Sequence, residues 1–273
     1  MSAGGPDERR RAEPRTDIAL AEVDRIIGMG GRFGRVVADA GYGSSAAFRR
    51  GLGERGLVWA VGIPKVRNVY SPRVELCWPK AATGRPRKHP VPSEEPVPAE
   101  AALAGAAWRR ISWRRGTKGP LAAEFAALRV RPAEGAQLRD GRHLPGDEVW
   151  LVGERRASGE KKYYLANLPP AATLEELAAT IKARWACEQA HQQLKEELGL
   201  DHFEGRSWTG LHRHALMAMI ALCFLQHLRL KEREKKRGRG AVRAAAPAEP
   251  ARRPTPAARA PWPRPHPVPV LQG

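Results

Sequence analysis

An α/β fold is what the sequence predicts, and three observations predict it. The β-branched run "RVVAD" (35–39) is followed by a helical segment and then by a second β-branched run, "LVWAVGI" (57–63), a β-α-β unit that sets two parallel strands side by side. From Pro64 to about residue 170, short alternating runs separated by Pro and Gly read as a mostly antiparallel β region. Helical periodicity then returns twice before residue 230.

Taken in order, residues 1–16 are charged and rich in Pro and Gly and read as disordered. The core opens at residue 17 with a helix capped by Asp17, striped by Ile18, Leu20, Ala21, Ile26 and Ile27, and ended by Gly28, Gly30 and Gly31. The first strand follows, then a helix over "SAAFRRGLGERG" with Phe48 and Leu52 four apart, then the second strand, which closes the segment 17–63. Residues 64–170 hold the β runs "RNVYSPRVELCW", "RRISWRR", "EFAALRVRP", "DEVWLVGE" and "KKYYLANL". Residues 171–230 predict two long helices, with Gly199 as the stop between them and the second apolar on most faces through 216–225, hence buried. The segment 231–273 has eleven Lys and Arg against three Glu, a surplus of +8, and its frequent Pro reads as a disordered basic tail.

The charge narrows the function classes. Forty-seven Lys and Arg against 29 Asp and Glu give +18, and removing the tail's +8 still leaves +10. Such an excess favours a polyanionic partner, with nucleic acid ahead of an anionic membrane surface. No window approaches the roughly 18 apolar residues that cross a bilayer, and the N-terminus lacks a signal-peptide core, so a cytoplasmic protein is expected. Cys77, Cys187 and Cys223 are far apart, show no C-x-x-C pairing, and read as packing residues.

Two carboxylates carry the chemical signal. Asp39 ends a predicted parallel strand, where open α/β sheets place ligand and catalytic groups, although Asp before Ala-Gly is equally a turn-former. Gly41 and Gly43 after it would let the backbone turn away and leave room for a metal and a DNA strand. Arg184, Glu188 and Lys195 stand at i, i+4 and i+11 and share one helical face; alone, they read as well as a solvated ladder of charges. One carboxylate from a strand end and one from a later helix are what divalent-metal chemistry at phosphorus needs.

In combination, "VVADAGYGSSAAFRRGLGERGL" and, with its glutamate 149 positions after Asp39, "RWACEQAHQQLKEELGLDHFEGRSW" resemble the second and third acidic blocks of DDE transposases. More narrowly, they resemble the bacterial insertion-sequence group with a Tyr-x2-Arg-x3-Glu-x6-Lys block, of the insertion-sequence-four and seven-hundred-one type. The resemblance covers about residues 15 to 230 and implies an RNase H-like core, its sheet incomplete, interrupted by a β-rich insertion. It implies that Asp39 and Glu188 are catalytic and bind Mg2+ or Mn2+, and that Arg184 and Lys195 hold phosphates at the element's ends. The partners would be double-stranded DNA of terminal repeats and target, and a second copy in a homodimer, in a bacterial cytoplasm at the nucleoid; no membrane is implied.

Two departures shape the expectation. The group's Tyr falls on Ile181. Of the aspartates before Asp39, Asp7 lies in the charged N-terminal segment and Asp17 and Asp24 on the predicted helix, so no strand carries the first aspartate of the triad. An N-terminally truncated transposase is therefore expected, inactive alone and exposing strand edges and apolar surface. The other readings are a non-catalytic remnant that competes for terminal repeats and an unrelated basic nucleic-acid-binding protein. Further DNA contacts are expected at Arg206 and at Arg85 and Arg87 of "TGRPRKHP", which resembles a minor-groove hook but reads more readily as a basic surface loop held extended by its prolines. Trp108 and Trp113, interleaved with four arginines, either face DNA or belong to the core.

Overall fold

The computed structural model describes residues 14–78, 89–116 and 119–241, without the side chains of 115 and 235–241. The chain divides between Ala183 and Arg184 into two compact units, each described by itself.

The first unit is mixed α/β. Helix α1 (Arg15–Gly28) leads to strand β1 (Val36–Ala38), the short helix α2 (Ala40–Gly43), helix α3 (Ala46–Glu54) and strand β2 (Trp59–Ile63). Then come β3 (Asn68–Tyr70), β4 (Leu76–Cys77), β5 (Val91–Pro92), β6 (Val97–Pro98), helix α4 (Ala99–Ala102), β7 (Arg109–Gly116) and the 19-residue β8 (Gly119–Gln137). Strands β9 (His143–Pro145), β10 (Val149–Arg155) and β11 (Lys161–Ala166) and helix α5 (Leu174–Lys182) complete it.

The predicted β-α-β unit is present: β1 and β2 pair in parallel, with Val36 opposite Trp59. Among the described residues every other pairing is antiparallel, and most strands from beyond residue 64 join the same open sheet, in the order β1-β2-β11-β10-β8-β3-β6. β7 and β9 pair with β8, and β4 and β5 form a separate ribbon. The period-2 alternation of the strands divides the core between two faces. Val61, Leu151, Leu165 and Ala126 pack with Phe48 and Leu52 of α3. Their neighbours Ala60, Val152, Ala166 and Phe125 pack with Leu177, Ala178 and Ile181 of α5. Ile181, standing where the resembled group has Tyr, is thus an apolar core residue.

Local chemistry explains the helix starts. Ser45 accepts from the Phe48 amide at 3.2 Å and caps α3; Thr173 and Glu176 form a capping box at α5. α1 begins three residues earlier than expected, with Pro14 at its N-cap in place of Asp17, so Asp17 lies in the first turn and faces the helix dipole instead of capping. No residue of α1 is fully buried; Ile18, Ile27 and Met29 are exposed, and β1 is the sheet's edge strand.

The second unit pairs α6 (Trp185–Glu196) with α7 (Trp208–Ala241). The continuous helix expected before Gly199 is interrupted at Ala183 and Arg184. There the Ala183 amide reaches both Ala179 O and Thr180 O, and the Cys187 amide bonds Arg184 O, a tightened i to i+3 turn. Gly199 does stop α6: its φ of +64° is open to glycine at little cost, and the Leu200 amide returns to Leu194 O at 2.8 Å. His214 bonds Gly199 O, and Gln226 donates to Gln193, so one face of α7 meets α6.

Three expectations are corrected in this region and beyond. α7 is not buried through 216–225: Ala218 is covered, but Met217 is 65% and Phe224 60% exposed, because among the described residues of its unit α7 has only the much shorter α6 to lie against. The helix also continues to Ala241, past the expected end of order at 230, since its "KEREKKR" segment is made of strong helix formers; residues 242–273 lie outside the described residues. All three cysteines are exposed free thiols instead of packing residues, Cys77 on the small β4–β5 ribbon and the others on outward positions of α6 and α7. No helix among the described residues is long and apolar enough to cross a membrane.

Candidate functional site

Asp39 leaves the carboxyl end of β1 in extended conformation and becomes the N-cap of α2. Its Oδ1 accepts from the Gly41 amide at 2.9 Å and, more weakly, from the Tyr42 amide at 3.4 Å. A side chain at Gly41 would put a Cβ 3.1 Å from that oxygen. Asp39 is exposed, and its Oδ2 makes no hydrogen bond among the described residues. The turn-former and ligand readings of Asp39 are therefore compatible: one oxygen makes the turn while the other faces outward.

The permissive loop has a different cause from the one expected. Neither Gly41 nor Gly43 adopts a positive φ, and Gly43 is buried. A Cβ on Gly43 would overlap the Gly62 carbonyl oxygen, and one on Gly62 would come within 2.9 Å of the Ala40 amide nitrogen. The paired glycines let α2 lie directly on β2, so the space they free is filled by backbone.

Below this turn lies a charged pair that no local motif announced. Arg49 of α3, 2% exposed, donates to Gly43 O and to Glu134 of β8. Arg67 donates to Ser44 O at 2.6 Å; burial and then the nearby Arg49 charge push its guanidinium below its ordinary range. Arg49 Nε is buried without a hydrogen-bond partner. With sequence separations of 85 for Arg49–Glu134 and 23 for Arg67–Ser44, neither contact had a readable signal.

The second candidate carboxylate, Glu188, lies in the first turn of α6, where the helix dipole favours a negative charge. It is exposed and ion-paired with Arg184 at the N-cap. Lys195, in the last turn, and Arg206, in the loop before α7, are both exposed. Arg85 and Arg87 lie outside the described residues. Asp39 belongs to the first unit and Glu188 to the second. Both offer hard oxygen donors of the kind Mg2+ takes, and Asp39 has a free one. Among the described residues, however, no three or more His, Cys, Asp or Glu converge as a metal-holding group.

A second charged cluster also escaped the sequence. Glu154 of β10, fully buried, accepts from Lys182 at the end of α5, from Arg156 Nε at 2.9 Å and from Tyr164 at 2.8 Å. Burial alone would raise its carboxyl; the bonds from Lys182, Arg156 and Tyr164 prevail and hold it below the usual carboxylate range. Lys182 lies over the Trp113 ring at 4.6 Å, and burial lowers its ammonium despite Glu154. Trp113 meets Phe125 edge-on, and Trp108 packs against the first core cluster under Arg155 at 4.4 Å. Both tryptophans are half-buried and pack against the core clusters, while Arg109 is tied at 3.7 Å to Glu175 and Arg110 is exposed.

Residues 2–120, less than half of the chain, match the model of a family described as DDE superfamily endonuclease. That span includes β1, Asp39 and the whole β-α-β unit and ends at the start of β8. No curated protein matches the chain.

Proposed function

We propose that the chain is a DDE-type transposase of a bacterial insertion sequence, acting on phosphodiesters of double-stranded DNA at the element's ends. The carrying observation is Asp39: a carboxylate delivered by a parallel strand, fixed through one oxygen and open through the other, inside the span that matches a DDE endonuclease family. The fold reading that goes with it is an RNase H-like core. The described strand pairing supports it through the parallel β1–β2 unit at the edge of a mixed sheet.

In this reading Asp39 Oδ2 and the Glu188 carboxylate hold Mg2+ or Mn2+. Such a cation, when bound, lowers the pKa of water and offsets charge at phosphorus. Asp39 contributes a carboxylate already oriented by two backbone amides, so little reorganisation accompanies binding. Arg184 brings a guanidinium to the acidic turn of α6, where it orients a non-bridging phosphate oxygen; Lys195 and Arg206 add phosphate contacts. Dimeric assembly on paired ends belongs to the same proposal.

A second reading rests on a specific observation. Asp17 and Asp24, the described aspartates before Asp39, both lie on helix α1. If neither joins Asp39 at a metal, the chain binds terminal repeats but does not cut them, and so competes with a complete transposase. One experiment separates the two. The purified chain is incubated with terminal-repeat DNA and Mn2+, beside Asp39→Ala and Glu188→Gln. Cleavage lost in both variants supports the enzyme, and salt-sensitive, repeat-specific binding without cleavage supports the remnant. Equal affinity for any nucleic acid, unaffected by metal, sinks both.

A further inference from the structure

We propose that Arg49, with Glu134 as its counter-ion, is the positioning residue of Asp39: the buried guanidinium and its half-buried partner lock the α2 turn on which the Asp39 carboxylate is built. This rests on reading Asp39 as the ligand-binding carboxylate. It adds a residue that neither the acidic blocks nor the family match singles out.

α2 is one turn long and cannot hold its own shape, because a helix of four residues is far below the length at which helices persist alone. Its start is fixed by Asp39. Its end carries carbonyls that a longer helix would satisfy internally. Here two guanidiniums satisfy them instead, Arg49 at Gly43 O and Arg67 at Ser44 O. Arg49 reaches back six residues from α3, and its other terminal nitrogen is held by Glu134, which arrives 85 residues later on β8. The turn is therefore clamped from α3, from the loop after β2 and, through Arg49, from β8.

Stability alone is a poor reason for this arrangement. Burying a charge seldom outweighs its desolvation, and here Arg49 has a second guanidinium, Arg67, nearby while its Nε goes without an acceptor. An apolar residue at position 49 would fill the same space at less electrostatic cost. What it could not do is grip the Gly43 carbonyl. That carbonyl ends the turn whose amides, at Gly41 and Tyr42, aim Asp39 Oδ1.

The test uses the full chain and two variants. The double variant Arg49→Met/Glu134→Gln removes the grip without leaving an unpaired buried charge; Arg49→Lys keeps the charge but loses the fork. Amide hydrogen exchange is followed by NMR at Gly41 and Gly43, with Val152 and Leu165 in the central sheet as internal references, and Mn2+ affinity is measured beside Asp39→Asn. We expect protection at Gly41 and Gly43 to fall about ten-fold and Mn2+ to bind about ten-fold more weakly, with the reference amides unchanged. Unchanged protection at Gly41 and Gly43 overturns the proposal. So does a loss shared equally by Val152 and Leu165 in both variants, because the pair would then support the sheet at large. If the local loss appears but Mn2+ affinity of the wild type is indifferent to Asp39→Asn, the positioning stands and the metal reading of Asp39 fails.

Discussion

The two candidate carboxylates are held in opposite ways. Asp39 is bound into the fold: the Gly41 and Tyr42 amides orient it, paired glycines seat its turn on β2, and two arginines clamp the turn's end. Glu188 stands on the exposed side of α6 with one neighbour, Arg184, four residues away. An oriented carboxylate is ready for a cation, whereas a free one must be ordered when the ligand arrives, at a cost in side-chain entropy. The chain therefore contains one preformed ligand and one adaptable one, and the difference can be pressed with mutations.

The largest effect should come just before Glu188's helix begins. Glu154→Leu leaves Lys182 buried without its partner at the end of α5 and should destabilise the first unit by about 4 kcal/mol at pH 7 in urea unfolding. Glu154 has a depressed folded pKa, so its contribution is present above the unfolded carboxyl value of about 4.3 and is lost as pH falls through the folded value. The gap between wild type and Glu154→Gln should therefore narrow as the solution is acidified; a gap that does not narrow would contradict the assignment. Gly43→Ala should come next, at about 3 kcal/mol, since the new Cβ meets the backbone of Gly62 and neither side can yield. Thermal unfolding of Gly43→Ala within a degree of wild type would refute the close approach of α2 to β2.

Asp39→Ala should cost about 1 kcal/mol, the usual value of a lost N-cap, and Asp39→Asn much less, because an amide oxygen still caps. Glu188→Gln should change stability by no more than about 0.5 kcal/mol, as befits an exposed i, i+4 pair. Equal costs for Asp39→Ala and Glu188→Gln in the same calorimetric series would erase the contrast between them.

What the sequence made legible was local. The β-branched runs on either side of "SAAFRRGLGERG" told of β1 and β2, Ser45 marked a helix start, and Gly199 marked a helix stop. Asp39 was readable because its strand, turn and glycines are contiguous. Arg49–Glu134 and Glu154–Lys182 were not, because each joins residues that only the folded sheet brings together. The interruption at Ala183 and Arg184 carries no Pro or Gly, so helical periodicity ran straight through it. α7 misled in another way: apolar composition reports what a helix could bury, while its actual cover depends on how much helix lies against it, and α6 is short.

The order β1-β2-β11 has a consequence in time. β2 is complete at Ile63, but its second edge waits for β11, and the Trp59 amide finds its acceptor, Asn167, 108 residues later. At the roughly 5–20 residues per second of synthesis, β2 spends about 5–20 s with an apolar edge unpaired. Contacts of such long separation are slow to close even in a released chain. During that interval the nascent chain offers any nearby strand a place to pair. The setting of Asp39 is therefore completed only after residue 166 has emerged, when β11 covers the second edge of β2.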